Sequence, residues 1–316
     1  MAYAVLFPGQ GSQFVGMGAD LFDARPDLLG ERADETLGWS LRDLCLNGPE
    51  EELTRTEHAQ PALFALSLAL WDELDRQLAI PPVAAAGHSL GEFTALCAAG
   101  MIGFEEALRV VAERGRAMAA AADREPSGMA ALLGGDLATA EAVAEANRAA
   151  GGRLTVANDN APGQVVVAGG AADLDWLDEH GRDHGVRRAI RLKVAGAFHS
   201  PFMQPAAERV AVAVAGIDPV EGRFPVYANV TGTAVSAVDV RRSLSEQVVA
   251  RVRFADTLRN IAASGAHTFI HVGPGDVTAG MAKRTVEGCD TLVVSDLGGI
   301  PAVVDALSTI DRSGGA

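Results

Sequence analysis

The stretch PPVAAAGHSLGEFTALCAAG, residues 81–100, runs from an apolar segment through a glycine-bounded turn into a helix-forming segment. VAAAG (83–87) reads as a short buried strand, and SLGEFTALCAAG (89–100) as a helix that ends at glycine. Between them Gly87-His88-Ser89-Leu90-Gly91 fits G-x-S-x-G, a nucleophile elbow, in the strand–turn–helix setting which that pattern needs. A serine hydroxyl is a poor nucleophile unless a base takes its proton and donors receive the developing oxyanion. An elbow exposes the serine above a sheet and sets the next N–H, that of Leu90, at a helix N-terminus, where negative charge is favoured. The alternative is a glycine-flanked turn that happens to hold a serine.

Upstream, YAVLF (3–7) reads as a buried strand entering the loop PGQGSQ, and AQPALFALSLALWDEL (59–74) as a buried helix with proline near its start. Downstream, FEEALRVVAERGRAMAAAA (104–122) reads as a long amphipathic helix. A different rhythm begins near residue 127. GMAALLG and QVVVAGG read as strands, as does RLTVAND, which joins QVVVAGG through the turn NAPG; LATAEAVAEANRA and DLDWLDEHGRDHG read as helices, and RRAIRLKV as a last strand. That order is βαββαβ, the split ferredoxin-like motif, and it predicts a small domain over 125–196. RFPVYANVTG, TFIHV (268–272) and DTLVVSDLG then return to the earlier pattern, so 1–124 and 197–316 form one discontinuous large domain of α/β layering. The ending DRSGGA reads as a frayed tail.

The chain has 316 residues, 48% of them hydrophobic, so a large core can be buried. No run approaches the roughly 18 apolar residues that span a bilayer. The N-terminus has no basic segment, and a cytoplasmic protein without membrane contact is expected. Three scattered cysteines, Cys45, Cys97 and Cys289, argue against a disulfide framework or a zinc site. A net charge of −15 opposes non-specific binding to nucleic acid.

The base should be one of seven histidines. His88 adjoins Ser89, but neighbouring side chains in an elbow diverge; His180 and His184 lie on a polar helix, and His267 and His271 flank a strand. His199, in GAFHSPFM, stands where the small domain returns to the large one, a junction that commonly lines active sites. It reads either as the base or as a loop-capping histidine.

FPGQGSQ, GHSLGE, ERGRAM, NAPGQVVVAG, GAFHSPFM, VYANVTG and VGPG occur in the order seen in malonyl-CoA:acyl carrier protein transacylases and the related polyketide synthase acyltransferases, which the chain resembles from residue 5 to about 284. The resemblance implies an α/β-hydrolase-like large domain with the ferredoxin-like domain inserted. It implies Ser89 as nucleophile, His199 as base and then acid, and the N–H groups of Gln10 and Leu90 as the oxyanion hole. Gln247, in SEQVVARVRF, aligns with the glutamine whose carbonyl orients the histidine, although Arg251 and Phe254 stand where the family has proline and tryptophan. Arg114 aligns with the arginine that holds the malonyl carboxylate, which a guanidinium fork can grip bidentately; on this helix Arg109 and Arg116 read as surface residues. Phe198 goes with unbranched malonyl in related domains, and Gln60 and Asn158 fall in pocket-lining segments.

The implied reaction needs no cofactor: malonyl-CoA is the substrate, an acyl carrier protein bearing phosphopantetheine is the partner, and a monomer is expected. Because carriers are usually acidic, a local basic patch must attract them, either Arg187, Arg188, Arg191 and Lys193 or Arg251, Arg253, Lys283 and Arg284. Three other readings use the same elbow. A thioesterase of the α/β-hydrolase class would need a triad acid; a loading subunit of a polyketide assembly line or malonate decarboxylase would differ in its partner or acyl group; a scaffold would have lost catalysis.

Overall fold

The structure, a computed structural model, describes residues 2–313. Within them β1 (Tyr3–Phe7), β2 (Ala84–Gly87), β3 (Ser127–Leu133), β4 (Thr155–Ala161), β5 (Gln164–Gly170), β6 (Arg188–Arg191), β7 (Val226–Tyr227), β8 (Thr268–Val272) and β9 (Asp290–Val294) build two sheets. The first is parallel, in the order β7-β2-β1-β8-β9, with Leu6 facing Ala86 on one side and His271 on the other. Its central strands are buried at every residue, because a parallel sheet is covered on both faces and its strands need apolar side chains throughout. The helix Thr56–Asp75 fills one face, where Trp71 meets Phe7 and Phe224 edge-on at 6.2 and 6.1 Å. This helix begins three residues before the expected AQPAL. Backbone bonds from His58 and Ala59 to the Arg55 carbonyl start it there, so Pro61 lies inside it rather than near its start.

The second sheet is antiparallel, in the order β4-β5-β3-β6. The helices Leu137–Ala149 and Ala171–His180 fall between its strands in the chain as expected. Side chains alternate across it. Ala130, Leu132, Val165 and Val167 pack toward the two helices, whereas Met129, Val166 and Ala168 join the core shared with the first sheet. The turn after β4 is tighter than the expected NAPG, since Asn160 and Ala161 stay in the strand. A bulge between Val156 and Asn158 bends β4, and Asn158 bridges to Val252.

Two expectations fall short. Of RFPVYANVTG only Val226–Tyr227 is strand, because β2 pairs with it at only Ala85 and Ala86 and Tyr227 already bridges back to Ala234. The expected tail is helical as far as Ser313, at the end of Ile300–Ser313, and residues 314–316 lie outside the described residues. No helix among the described residues is long and apolar enough to cross a membrane.

Candidate active site

Ser89 sits between the end of β2 and the helix Gly91–Ala98, with φ at +50°. The flanking glycines are required by space. A Cβ on Gly87 would lie 1.9 Å from the Gly91 carbonyl, and one on Gly91 would lie 2.4 Å from the Phe7 oxygen. Asn229 clamps the turn: its Oδ1 accepts from the Ser89 N–H at 2.6 Å and its Nδ2 donates to the Gly87 carbonyl at 2.7 Å.

His199 lies 110 positions further on, yet its Nε2 is 2.8 Å from Ser89 Oγ. Its Nδ1 is 2.8 Å from the carbonyl of Gln247. A carbonyl can only accept, so Nδ1 carries the proton and Nε2 is left free to accept from the serine hydroxyl. Burial, and after it the Arg114 charge, push the imidazole down to about 3, so it stays neutral at ordinary pH. Among the described residues, Ser89 and His199 (φ +56°) are the only non-glycine residues with positive φ.

Five other histidines are engaged elsewhere, and His267 is exposed. His88 points away, Nε2 to Asn160 Oδ1 at 2.7 Å with its ring edge-on to Phe254. His271 bonds Thr278, His58 packs on Trp39, and His180 and His184 lie against Trp176.

Arg114 is 1% exposed, in the helix Phe104–Ala122. Its Nη1 donates to Gln60 Oε1 at 2.5 Å, and its Nη2 to Ser89 Oγ at 3.0 Å and Gln247 Oε1 at 2.9 Å. Its Nε has no partner in the structure, so one buried donor beside the serine is unspent. Burial lowers its pKa to about 10, which leaves the guanidinium charged. Arg109 is exposed and Arg116 pairs with Glu113, the surface roles expected of them.

These groups meet in a cavity of about 260 Å³. Gln10, Gln60, Leu90, Asn158 and Phe198 all line it beside Ser89, Arg114 and His199, while Gln247 stands fully buried behind the histidine. Asn158 reaches it from β4, the strand read from RLTVAND. Met118, Met129, Val166 and Leu192 supply apolar wall. Of the basic candidates, Lys193 lines the cavity, Arg191 is held by Asp175 and Asp178, and Arg251 is held by Glu141. Sequence reading gave no role to Glu92 or Asn229, although both lie inside motifs it singled out. Their contacts reach 137 and 140 positions along the chain, where no local pattern could signal them. No cluster of three or more metal-ligating side chains occurs among the described residues.

The family model for the acyl transferase domain matches residues 5–301. A malonyl CoA-acyl carrier protein transacylase from Bacillus subtilis (strain 168) is 40% identical over 296 residues, which is 93% of each chain. The solved structure of a malonyl CoA-acyl carrier protein transacylase from Clostridium perfringens superposes with a TM-score of 0.92 at 32% identity, over 100% of both chains. A malonyl-transacylase solved in complex with its type II PKS acyl-carrier protein gives 0.90 at 35% identity, over 97% of this chain and 100% of that one. With matches of this extent, this chain belongs to the acyl transferase domain family, among the malonyl CoA-acyl carrier protein transacylases.

Proposed function

We propose that this chain moves a malonyl group from malonyl-CoA to the phosphopantetheine thiol of an acyl carrier protein, in fatty-acid or polyketide synthesis. The observation that carries this reading is the position of Ser89 Oγ, 2.8 Å from a base and 3.0 Å from a buried guanidinium. A hydroxyl between a base and a carboxylate anchor suits a thioester whose acyl group ends in a carboxylate.

His199 Nε2 takes the Ser89 proton as Oγ bonds to the thioester carbon. The carbonyl oxygen becomes an oxyanion within reach of the Gln10 and Leu90 N–H groups. As the carbon–sulfur bond breaks, the imidazolium returns its proton to the departing thiolate, leaving malonyl-Ser89 and coenzyme A. The carrier's thiol then attacks that ester; His199 accepts the thiol proton and passes it to Ser89 Oγ as the carbon–oxygen bond breaks. Arg114 shifts from Ser89 Oγ to the malonyl carboxylate, where its unspent Nε–H adds a second donor. The Gln247 carbonyl keeps the imidazole in the reactive tautomer, the task of the acid in a Ser–His–Asp triad. A thioesterase of the triad type is disfavoured by that carbonyl, which occupies the acid's place.

In this reading the parallel-sheet body, 1–124 and 197–316, is an α/β-hydrolase-like domain, and 125–196 is a ferredoxin-like domain inserted in it. Every group in the scheme comes from one chain and none requires a cofactor, so a monomer suffices. Intact-protein mass spectrometry after mixing with malonyl-CoA tests the scheme. A gain of one malonyl group, absent in Ser89→Ala and discharged by a holo carrier protein, is expected. Full labelling of Ser89→Ala, or release as free malonate in place of malonyl-carrier, overturns it.

A further inference from the structure

Glu92 takes no part in the transfer just described, yet it is wholly buried three residues after the nucleophile, in the first turn of Gly91–Ala98. Its carboxylate gathers donors from a distant part of the chain. Oε2 accepts from the Asn229 N–H at 2.9 Å and from Gln247 Nε2 at 2.7 Å, and Oε1 accepts from Ser243 Oγ at 3.2 Å.

Two of these partners lead straight to the reacting groups. Asn229 holds the Ser89 N–H. Gln247 does more: its main-chain oxygen holds His199 Nδ1, its Oε1 holds Arg114 Nη2, and its Nε2 reaches both Glu92 and the Ser89 carbonyl. An amide has one accepting and one donating end. Arg114 can only donate and so demands the oxygen; the Ser89 carbonyl can only accept and, together with Glu92 Oε2, demands the nitrogen.

We infer that Glu92 is a positioning residue that couples the base to the carboxylate anchor. By fixing which way the Gln247 amide faces, it holds one residue on His199 and Arg114 at once. Without that acceptor only the Ser89 carbonyl is left to hold the NH2, the amide turns more easily toward the guanidinium, and Arg114 loses its grip on the site. The inference rests on the malonyl reading above and names what aims its anchor.

The test compares initial rates of Ser89 labelling by malonyl-CoA and by acetyl-CoA in the same preparation. The ratio of the two is independent of the folded fraction, since unfolded protein labels with neither. Glu92→Gln keeps every hydrogen bond, with its oxygen in place of Oε2 and its NH2 donating to Ser243 Oγ; it should hold the malonyl-over-acetyl ratio within about threefold of wild type. Glu92→Leu removes the acceptors and should lower the ratio at least tenfold. If Glu92→Leu does not fold, Glu92→Ala, which leaves room for water on the orphaned donors, takes its place. Gln247→Met, which keeps the main-chain carbonyl but loses the amide, should match it. Loss of thermal stability with an unchanged ratio in the folded Glu92 variant overturns the inference and makes the residue merely structural. Wild type that takes no malonyl at all refutes the malonyl reading before any variant is compared.

Discussion

Ser89 follows a strand whose four residues are all buried, whereas Asn158, which lines the same cavity, stands in a strand broken by two register shifts. The parallel-sheet side is dimensioned by backbone. Gly87 and Gly91 leave no room for a Cβ, and the Ser89 N–H is clamped by Asn229. The antiparallel side is dimensioned by side chains, with Met129 and Val166 projecting from alternating strand positions into the cavity. Atoms that make and break bonds need fixed positions, while a wall that only shapes an acyl group can be altered by rotamer and by substitution. One side of the cavity is thus set by backbone and the other by side chains.

The comparison breaks first at the base. His199→Ala removes the group that takes the Ser89 proton and should slow malonyl labelling by roughly a hundredfold to ten-thousandfold, read by rapid-quench mass spectrometry. The expected loss is far larger than any that follows from the antiparallel wall.

Acid sharpens the contrast next. His199 in the folded chain is held near 3, below its unfolded value of about 6.5, and buried His271 is likewise held to about 4. Above pH 6.5 both histidines are neutral in both states and contribute no pH dependence. As pH falls below 6.5 the unfolded chain takes up their protons first, so stability is lost down to about pH 3 for His199 and about pH 4 for His271. Each group removes up to roughly 1.4 kcal/mol per pH unit. Denaturant titrations between pH 7 and 4 should therefore give a shallower fall for His271→Gln than for wild type. The labelling rate of Ser89 should have no inflection near 6.5.

The third contrast sets Gly91→Ala against Met129→Leu. The first drives a Cβ against the Phe7 oxygen and should lower stability by about 1–3 kcal/mol and displace the elbow. The second conserves volume and should change unfolding free energy by less than about 1.5 kcal/mol and labelling hardly at all. The last contrast lies at Phe198, which is 6% exposed on the cavity wall next to the base. Phe198→Ala should raise methylmalonyl labelling relative to malonyl by roughly 1–3 kcal/mol, about tenfold to a hundredfold, in competition between the two thioesters.

Much of this was legible in the residues. YAVLF, TFIHV and QVVVAGG are strands to the residue because apolar runs bounded by glycine or proline have little freedom, and the helix Phe104–Ala122 matches its amphipathic stretch end to end. RFPVYANVTG misled because its strand length is set by a short partner, β2, and not by its own pattern. Ser89, His199, Arg114 and Gln247 were found through motifs. No periodicity distinguishes a helix arginine that turns inward from one that turns out: Arg114 and Arg116 sit two residues apart, one buried and one on Glu113. Glu92 was hidden for the same reason, since its value lies in partners that only the folded chain brings to it.

The left-handed backbone at Ser89 and His199 has a consequence for any search that rewards endurance alone. Each such residue stores on the order of 1–3 kcal/mol that a glycine would release. A selection for heat resistance, blind to turnover, is drawn toward Ser89→Gly and His199→Gly, and the survivors would be sturdier proteins with no reaction left in them.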